Sequence, residues 1–416
     1  MAGTSSRVAP VVAIPEPGLS PDEIVQRARA LIGEVREQQD EAERLGHHTN
    51  ELDRKFVEAG FYRMLQPRLF GGYEFDLVTF WRAMLAIAEG DPGTGWGLTL
   101  GAHHALVVGS HFSEEGQRAI FGPTGDFRCP HRPPPRGKAR PVDGGYVVSG
   151  TWDYCSGIAH ATHFMGNALA ASGNGDEAGT NLAVVIPREQ VTVLDDWGNG
   201  SILGMNSSGS NSVTVDEVFV PTHRTSVANW RADHGATAGT ELHKNPMYLG
   251  RLMGVYHAGL VVPVVGAARA ALAEYEEIIT TRNTHRAPFV PRYTKQEFQQ
   301  AYGQALAFTD AAEALVIRAG QMYMEHCERW EATGQLFTKE DDARLFAVLQ
   351  QAGQLAGQAV QVIFNAASSS AAKRGQRIQR YYRDTAMYLG HFSAQYLRTS
   401  VDLACVHFGL PDELPA

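Results

Sequence analysis

The stretch "GGYVVSGTWDYCSGI", residues Gly144 to Ile158, alternates small with aromatic and β-branched side chains and then closes on a turn of small residues. A period of two marks a half-buried strand, and the Ser156-Gly157 pair ends it. Similar short runs, "NLAVVIP", "VTVLDDW" and "NSVTVDEVFVP", recur up to Pro221 with Gly, Asn and Asp between them. The expectation for this middle part is an antiparallel sheet or small barrel.

Both flanks read as helix. Upstream, "SPDEIVQRARALIGEVREQQDEAERLG" places Ser20 as an N-cap, Pro21 in the first turn and Glu23 three residues after the cap, which predicts one helix up to Gly46. Apolar spacing predicts further helices over residues 50–64, 77–89 and 94–108. Downstream it predicts four long ones, 247–281, 295–334, 339–372 and 383–408, enough for a bundle. The expected class is α+β: a mobile arm (1–19), an N-terminal helical domain (20–124), a β-barrel domain (125–228) and a C-terminal four-helix bundle (229–416), with a polar linker over 229–244.

The totals exclude several functions. With 44% hydrophobic and 19% charged residues the 416-residue chain has material for a large core, and a net charge of -9 offers no basic field for nucleic acid. Cys129, Cys155, Cys327 and Cys405 lie far apart without metal spacing, which suggests a reduced, cytoplasmic protein. The N-terminal segment lacks the pattern of a signal peptide. The longest apolar run, "AGLVVPVVGAA", carries Pro263 and is shorter than the roughly 20 residues of a membrane span, so it reads as a core helix.

Four stretches could carry chemistry. His47 and His48, with Glu51, sit at a helix end where solvated residues are usual, and no metal is expected there. "GDPGTGWGLTLGAHHALVVGSHF" holds Trp96, His103 and His104 inside an otherwise apolar run; the histidines are hydrogen-bonded core residues or site residues, and the two cannot face one way. "GTWDYCSGIAHATHF" sets Trp152, Ser156 and Gly157 where small residues let a flat ring approach the backbone. Last, "RYYRDTAMYLGHFSAQ" (380–395) predicts a helix with Asp384, Tyr388, His391, Gln395 and Arg398 on one face. Neither GxGxxG between strand and helix nor GxxxxGK[ST] occurs, so no nicotinamide site or P-loop is expected.

In their order, "DPGTGW", "WDYCSGI", "GSNSVTVDEVFVP" and the late "RD", these motifs resemble the acyl-CoA dehydrogenase fold. More narrowly, the chain resembles the oxygenase components of two-component flavin-dependent monooxygenases, the p-hydroxyphenylacetate 3-hydroxylase-like group. The resemblance implies a homotetramer (a dimer of dimers) that takes reduced flavin, FMNH2 or FADH2, from a separate NAD(P)H-flavin reductase. It implies oxygenation of a small aromatic substrate of the phenolic kind with O2 through a C4a-hydroperoxyflavin. The dehydrogenase base, a glutamate, is missing both from "TAMYLGHFSAQYLRTS" and from "MYLGRLMGVYHAG", where Arg251 stands instead.

By the same resemblance His391, seven residues after Asp384, lies beside the flavin as a proton donor titrating near neutrality. Ser156 with Gly157 meets flavin N5, Trp152 packs on the ring, and Arg251 is a fixed cation near flavin and substrate. One of the adjacent pair His103 and His104, with His104 favoured by its distance from Trp96, contacts the substrate together with Trp96 and Tyr388, and His104 or Arg251 orients or deprotonates it. Arg286 of "RAPF" reaches a flavin across a subunit boundary. "GMNSSGS" departs from the relatives' usual Gly-Leu-Arg-Gly-Thr-Gly-Ser, with Asn206 where arginine is frequent. Alternatives are an N- or S-oxygenating relative, a dehydrogenase-like flavoprotein with an atypical base, and a non-catalytic binding protein.

Overall fold

Ser20 caps the first helix as its sequence dictates: its hydroxyl accepts the Glu23 N–H at 3.2 Å, and the Glu23 carboxylate accepts the Ser20 N–H at 2.8 Å. In the computed structural model, which describes residues 10–171, 179–228 and 235–411, the expected single helix is three. These are α1 (Pro21–Ala30), α2 (Ile32–Glu37) and α3 (Gln39–Leu45), interrupted at Leu31 and Gln38 and stopped by the left-handed Gly46. Residues 1–9 of the expected arm lie outside the described residues. From residue 10 the arm is packed rather than mobile, with Val11 N–H on the Leu69 carbonyl at 2.7 Å and Val12 and Ile14 buried.

The N-terminal part continues with α4 (Asn50–Ala59), α5 (Leu77–Gly90), α6 (Pro92–Ala102), α7 (His104–His111) and α8 (Glu114–Phe121). Gly60, left-handed at φ 86°, cuts the second helix short of residue 64. His103 divides the stretch expected to be one helix over 94–108.

Among the described residues seven strands follow: β1 (His131–Val142), β2 (Gly145–Trp152), β3 (His163–Ala170), β4 (Thr180–Pro187), β5 (Thr192–Val193), β6 (Val213–Pro221) and β7 (Thr225–Val227). They form one sheet in the order β5-β6-β2-β1-β3-β4-β7. The sequence suggested an antiparallel arrangement, but β1 and β3 pair in parallel. The connection over 153–162 does not fold back as a hairpin; it carries the chain past β1 to its far side.

The C-terminal part contains α9 (Ala238–His243), α10 (Met253–Thr281), α11 (Gln296–Thr333), α12 (Lys339–Ala366), α13 (Arg377–Leu389) and α14 (Tyr396–Phe408). Within the expected linker, residues 229–234 lie outside the described residues, while α9, capped by Thr237, gives the remainder regular structure. The α10 helix is long and apolar enough to cross a membrane, although the apolar run quoted above is not. Its most apolar window is 83% buried within the fold, as befits a core helix. One hydrophobic core runs through the N-terminal helices and the bundle, a second fills the sheet, and a third joins α7 and α8 to β3 and β4.

Candidate active site

Asp91 starts α6 by accepting the Thr94 N–H at 2.9 Å, which places Trp96 one turn into the helix. The Trp96 indole N–H donates to the Ser156 hydroxyl at 3.1 Å. Ser156 stands on the turn after β2, seated against α6 by Gly157. A Cβ at Gly157, whose φ is +86°, would lie 2.6 Å from the Gly97 carbonyl, so the turn and helix can approach this closely only with glycine.

The segment "GMNSSGS" frames this turn from the other side. The Ser156 hydroxyl bonds Ser210 at 2.7 Å, and Ser210 bonds Ser208 at 2.6 Å. The Gly157 N–H donates to the Ser208 carbonyl at 2.9 Å, and the Ser207 hydroxyl donates to Asp91. The Met205 N–H donates to Asp384 at 2.6 Å, tying α13 to the same loop. Burial, and then the nearby Asp91 charge, push the Asp384 carboxyl up to about 7. Where arginine is frequent in relatives, Asn206 is buried beside Glu43, which already pairs with Arg380 and Arg383.

His391 does not lie on a helical face. The α13 helix ends at Leu389, and His391 is extended, at φ -67° and ψ 142°, heading a 3-10 turn over Phe392–Ala394. Gly390 is still right-handed and the chain turns extended at His391, so Gln395 and Arg398 fall beyond the break and the expected five-residue polar stripe does not form. The imidazole stands edge-on to Trp96 with ring centroids 6.4 Å apart. Its Nδ1 stands 2.8 Å from the Ser393 hydroxyl and 3.2 Å from the Ser393 N–H, and with Nδ1 accepting from both the hydrogen of the neutral ring is on Nε2. Burial, helped by the Arg132 charge, lowers its pKa to about 4.

Other expected residues are placed differently. Trp152 is fully buried in the sheet core, with its N–H on the Asn167 carbonyl at 3.0 Å, and a Cβ at Gly137, Gly150 or Gly166 would collide with its indole. No face of the ring is left for a flavin. Tyr388 is also fully buried, its hydroxyl pressed against Gly353 in the bundle, so it lines no open pocket. Arg251 is not a lone cation: its Nε donates to Asp342 at 3.1 Å, and both residues are buried. Asp342, which also accepts the Gly254 N–H at 2.9 Å, was not singled out in the sequence because it sits in an ordinary acidic first turn of α12. The pair borders a partly open cavity of about 60 Å³ lined also by Phe346, Leu403 and Val406. Arg286 is exposed in the segment between α10 and α11.

The two adjacent histidines are both buried, with rings 4.1 Å apart. The His104 Nδ1–H donates to the Cys129 carbonyl at 2.7 Å, which leaves Nε2 as a buried lone pair with no partner. Burial lowers its pKa to about 4. Neither ring nitrogen of His103 has a partner, and Tyr256 lies 5.3 Å from both rings. Glu51 pairs with Lys55, whereas His48 and His160 gather around Asp53. Arg128 and the Tyr62 hydroxyl, each 2.8 Å from an Asp53 oxygen, already satisfy that carboxylate, and Arg128 supplies the positive charge a metal ion would bring.

Buried polar atoms need partners. Both nitrogens of His257, which neighbours Phe346 and Tyr388, and the Tyr388 hydroxyl have none in the protein. The Ser156 hydroxyl, the His391 ring and the unpartnered His257 nitrogens near it form a donor and acceptor set that fits a heteroaromatic ring system such as a flavin.

The profiles "Acyl-CoA dehydrogenase, N-terminal domain" and "Acyl-CoA dehydrogenase, C-terminal domain" match residues 21–124 and 258–396. The chain belongs to the acyl-CoA dehydrogenase family. Within that family its relatives are oxygenases. It is 29% identical to the flavin-dependent monooxygenase oxygenase subunit HsaA of Rhodococcus jostii (strain RHA1), over 93% of this chain and 98% of the relative. It is 25% identical to the oxygenase component of p-hydroxyphenylacetate 3-hydroxylase from Acinetobacter baumannii, over 91% and 87%. The crystal structure of 3-HSA hydroxylase from Rhodococcus sp. RHA1 superposes with a TM-score of 0.82 at 27% identity, covering 94% of this chain and 97% of that one. This family member therefore combines the dehydrogenase architecture with the company of flavin-dependent monooxygenases.

Proposed function

We propose that this chain is the oxygenase component of a two-component flavin-dependent monooxygenase that hydroxylates a small phenolic substrate. It takes FMNH2 or FADH2 from a separate reductase and consumes O2. The observation that carries the reading is the meeting of Ser156 and His391 around Trp96, a 3.1 Å hydrogen bond on one side and an edge-on imidazole on the other. The names of the relatives support it, one of them a hydroxylase of a phenol.

Bound reduced flavin supplies the electrons that allow dioxygen to react with a closed-shell aromatic. The protein supplies position and protons. Ser156 presents its hydroxyl to a ring nitrogen, and Gly157 permits the approach. His391 is neutral at pH 7, so it holds a proton at Nε2 as a hydrogen-bond donor and does not release one from an imidazolium. This revises the expectation of a group titrating near neutrality. The His104 Nε2 lone pair is suited to accept a phenolic O–H, and the buried surroundings exclude competing water. The test is anaerobic titration of the protein with reduced FMN and FAD, followed by oxygen and a panel of phenols. Tight binding with hydroxylated product supports the reading; flavin that oxidises as it does free in solution overturns it.

We read the assembly as a homotetramer, a dimer of dimers. Phe392, Leu397, Val401 and Phe408 expose 53%, 82%, 61% and 72% of their surfaces along one C-terminal segment, an apolar display that favours subunit contact. The exposed Arg286 could then meet a neighbour's flavin. Light scattering on the eluting protein is expected to give about four times the chain mass of 45.3 kDa, and a monomer would refute this. A cytoplasmic location fits four cysteines that are all free.

A further inference from the structure

A hydroxyl has one proton and two lone pairs, and what it offers a ligand depends on how the other partners use them. At Ser156 these partners are unequal. The Trp96 indole is a donor only, so its N–H at 3.1 Å permanently occupies one lone pair. Ser210 at 2.7 Å, continued by Ser208 at 2.6 Å, can either accept the Ser156 proton or donate its own. One polar valence of Ser156 is therefore left, and its sign is set by the direction of the serine chain.

We propose that Trp96 is a positioning residue for Ser156, fixing the hydroxyl so that its remaining valence faces the flavin N5 while the Ser210–Ser208 chain sets whether it accepts or donates. Reduced flavin carries hydrogen at N5 and needs an acceptor, whereas oxidised flavin has a bare N5 and needs a donor. With Ser156 donating to Ser210 the free valence is a lone pair; with Ser210 donating to Ser156 it is a proton. The chain can meet both forms without moving a heavy atom. Trp96 is thus assigned to the flavin side through Ser156, where the sequence had suggested a substrate contact. The three hydroxyls of "GMNSSGS" gain a reason too: Ser208 and Ser210 form the chain, and Ser207 ties it to Asp91. The proposal rests on the flavin reading above.

The test is a double-mutant cycle of Trp96→Phe and Ser156→Ala, read first without flavin. In protein carrying 15N-labelled tryptophan, one of six indole N–H resonances, assigned by its loss in Trp96→Phe, is expected to move in Ser156→Ala. An unmoved resonance means the bond does not exist and overturns the proposal. The second readout is anaerobic affinity for reduced FMN and FAD. Trp96→Phe is expected to weaken binding by about 2- to 10-fold in the wild-type background, the range of one neutral hydrogen bond, and to have no effect beside Ser156→Ala. An equal loss in both backgrounds would show that Trp96 acts on the flavin or the fold directly and would also overturn it. Should Trp96→Phe fold poorly, Ser210→Ala runs the same cycle from the other side of the hydroxyl. Absence of reduced-flavin binding in the wild type would overturn the flavin reading itself, and the indole resonance would still report separately whether the Trp96–Ser156 bond forms.

Discussion

His391→Ala is expected to cut hydroxylated product by about 10²- to 10³-fold, the usual worth of a hydrogen-bond donor aimed at charge that develops in the transition state. Oxygen consumption should continue, with hydrogen peroxide released in place of product. The physical ground is the Ser393 contact: with Nδ1 accepting from the Ser393 hydroxyl and N–H, the hydrogen the ring can offer is on Nε2. His391→Gln can offer an amide N–H there and should recover part of the yield, which a merely space-filling role would not predict. Product and peroxide quantified per oxygen consumed decide the matter. Unchanged coupling in the alanine variant would remove His391 from the chemistry.

A second large effect is expected in acid. Ten described histidines, His48, His103, His104, His131, His160, His163, His243, His257, His326 and His391, have pKa values held below their ordinary range, with burial as the leading cause in each. An unfolded chain takes up protons on these rings near pH 6.5, while the native protein resists until about pH 4 or lower at His104 and His257. Between those limits the unfolded state binds more protons, so stability is intact above about pH 6.5 and falls as the pH drops. Each tenfold difference in proton affinity between the folded and the unfolded chain is worth about 1.4 kcal/mol, so the fully buried His104 alone accounts for roughly 3 kcal/mol. Asp384, raised from 3.8 to about 7, works in the opposite sense across nearly the whole of the same range, but it is one group against ten. Thermal unfolding of the apoprotein followed from pH 8 to pH 5 should show a nearly level melting temperature down to about 6.5 and a steep decline below it. A level profile to pH 5 would mean that these rings are hydrated or paired in solution.

Much of this architecture was legible because it depends on local rules. Ser20, Pro21 and Glu23 announce a helix start whatever the rest of the chain does, and the alternation before Trp152 announces a strand. What escaped the sequence depends on long-range partners. The helical period continues through "MYLGHFSAQ" with nothing but Gly390 to mark the break, so the loss of helix there is a tertiary outcome. The charge on Arg251 looks available to a ligand until Asp342, 91 residues away, neutralises it. Trp152 has the right neighbours for a flavin platform, yet the glycines that enclose it come from β1, β2 and β3. The serines of "GMNSSGS" carried a signal, three hydroxyls in four positions, but only their proximity to Asp91 and Ser156 gives it meaning.

The break after Gly390 also bears on how such an enzyme can diversify. Had His391 stood mid-helix, adding or deleting one residue before it would swing the imidazole by about 100° around the axis and drag the following turns with it. On an irregular junction between α13 and α14, a length change can be absorbed locally, while Asp384 keeps the preceding helix anchored to the sheet loop. The reach of the proton-bearing ring is therefore open to adjustment by small insertions and deletions over 390–395, a region that directed evolution could sample without rebuilding the bundle.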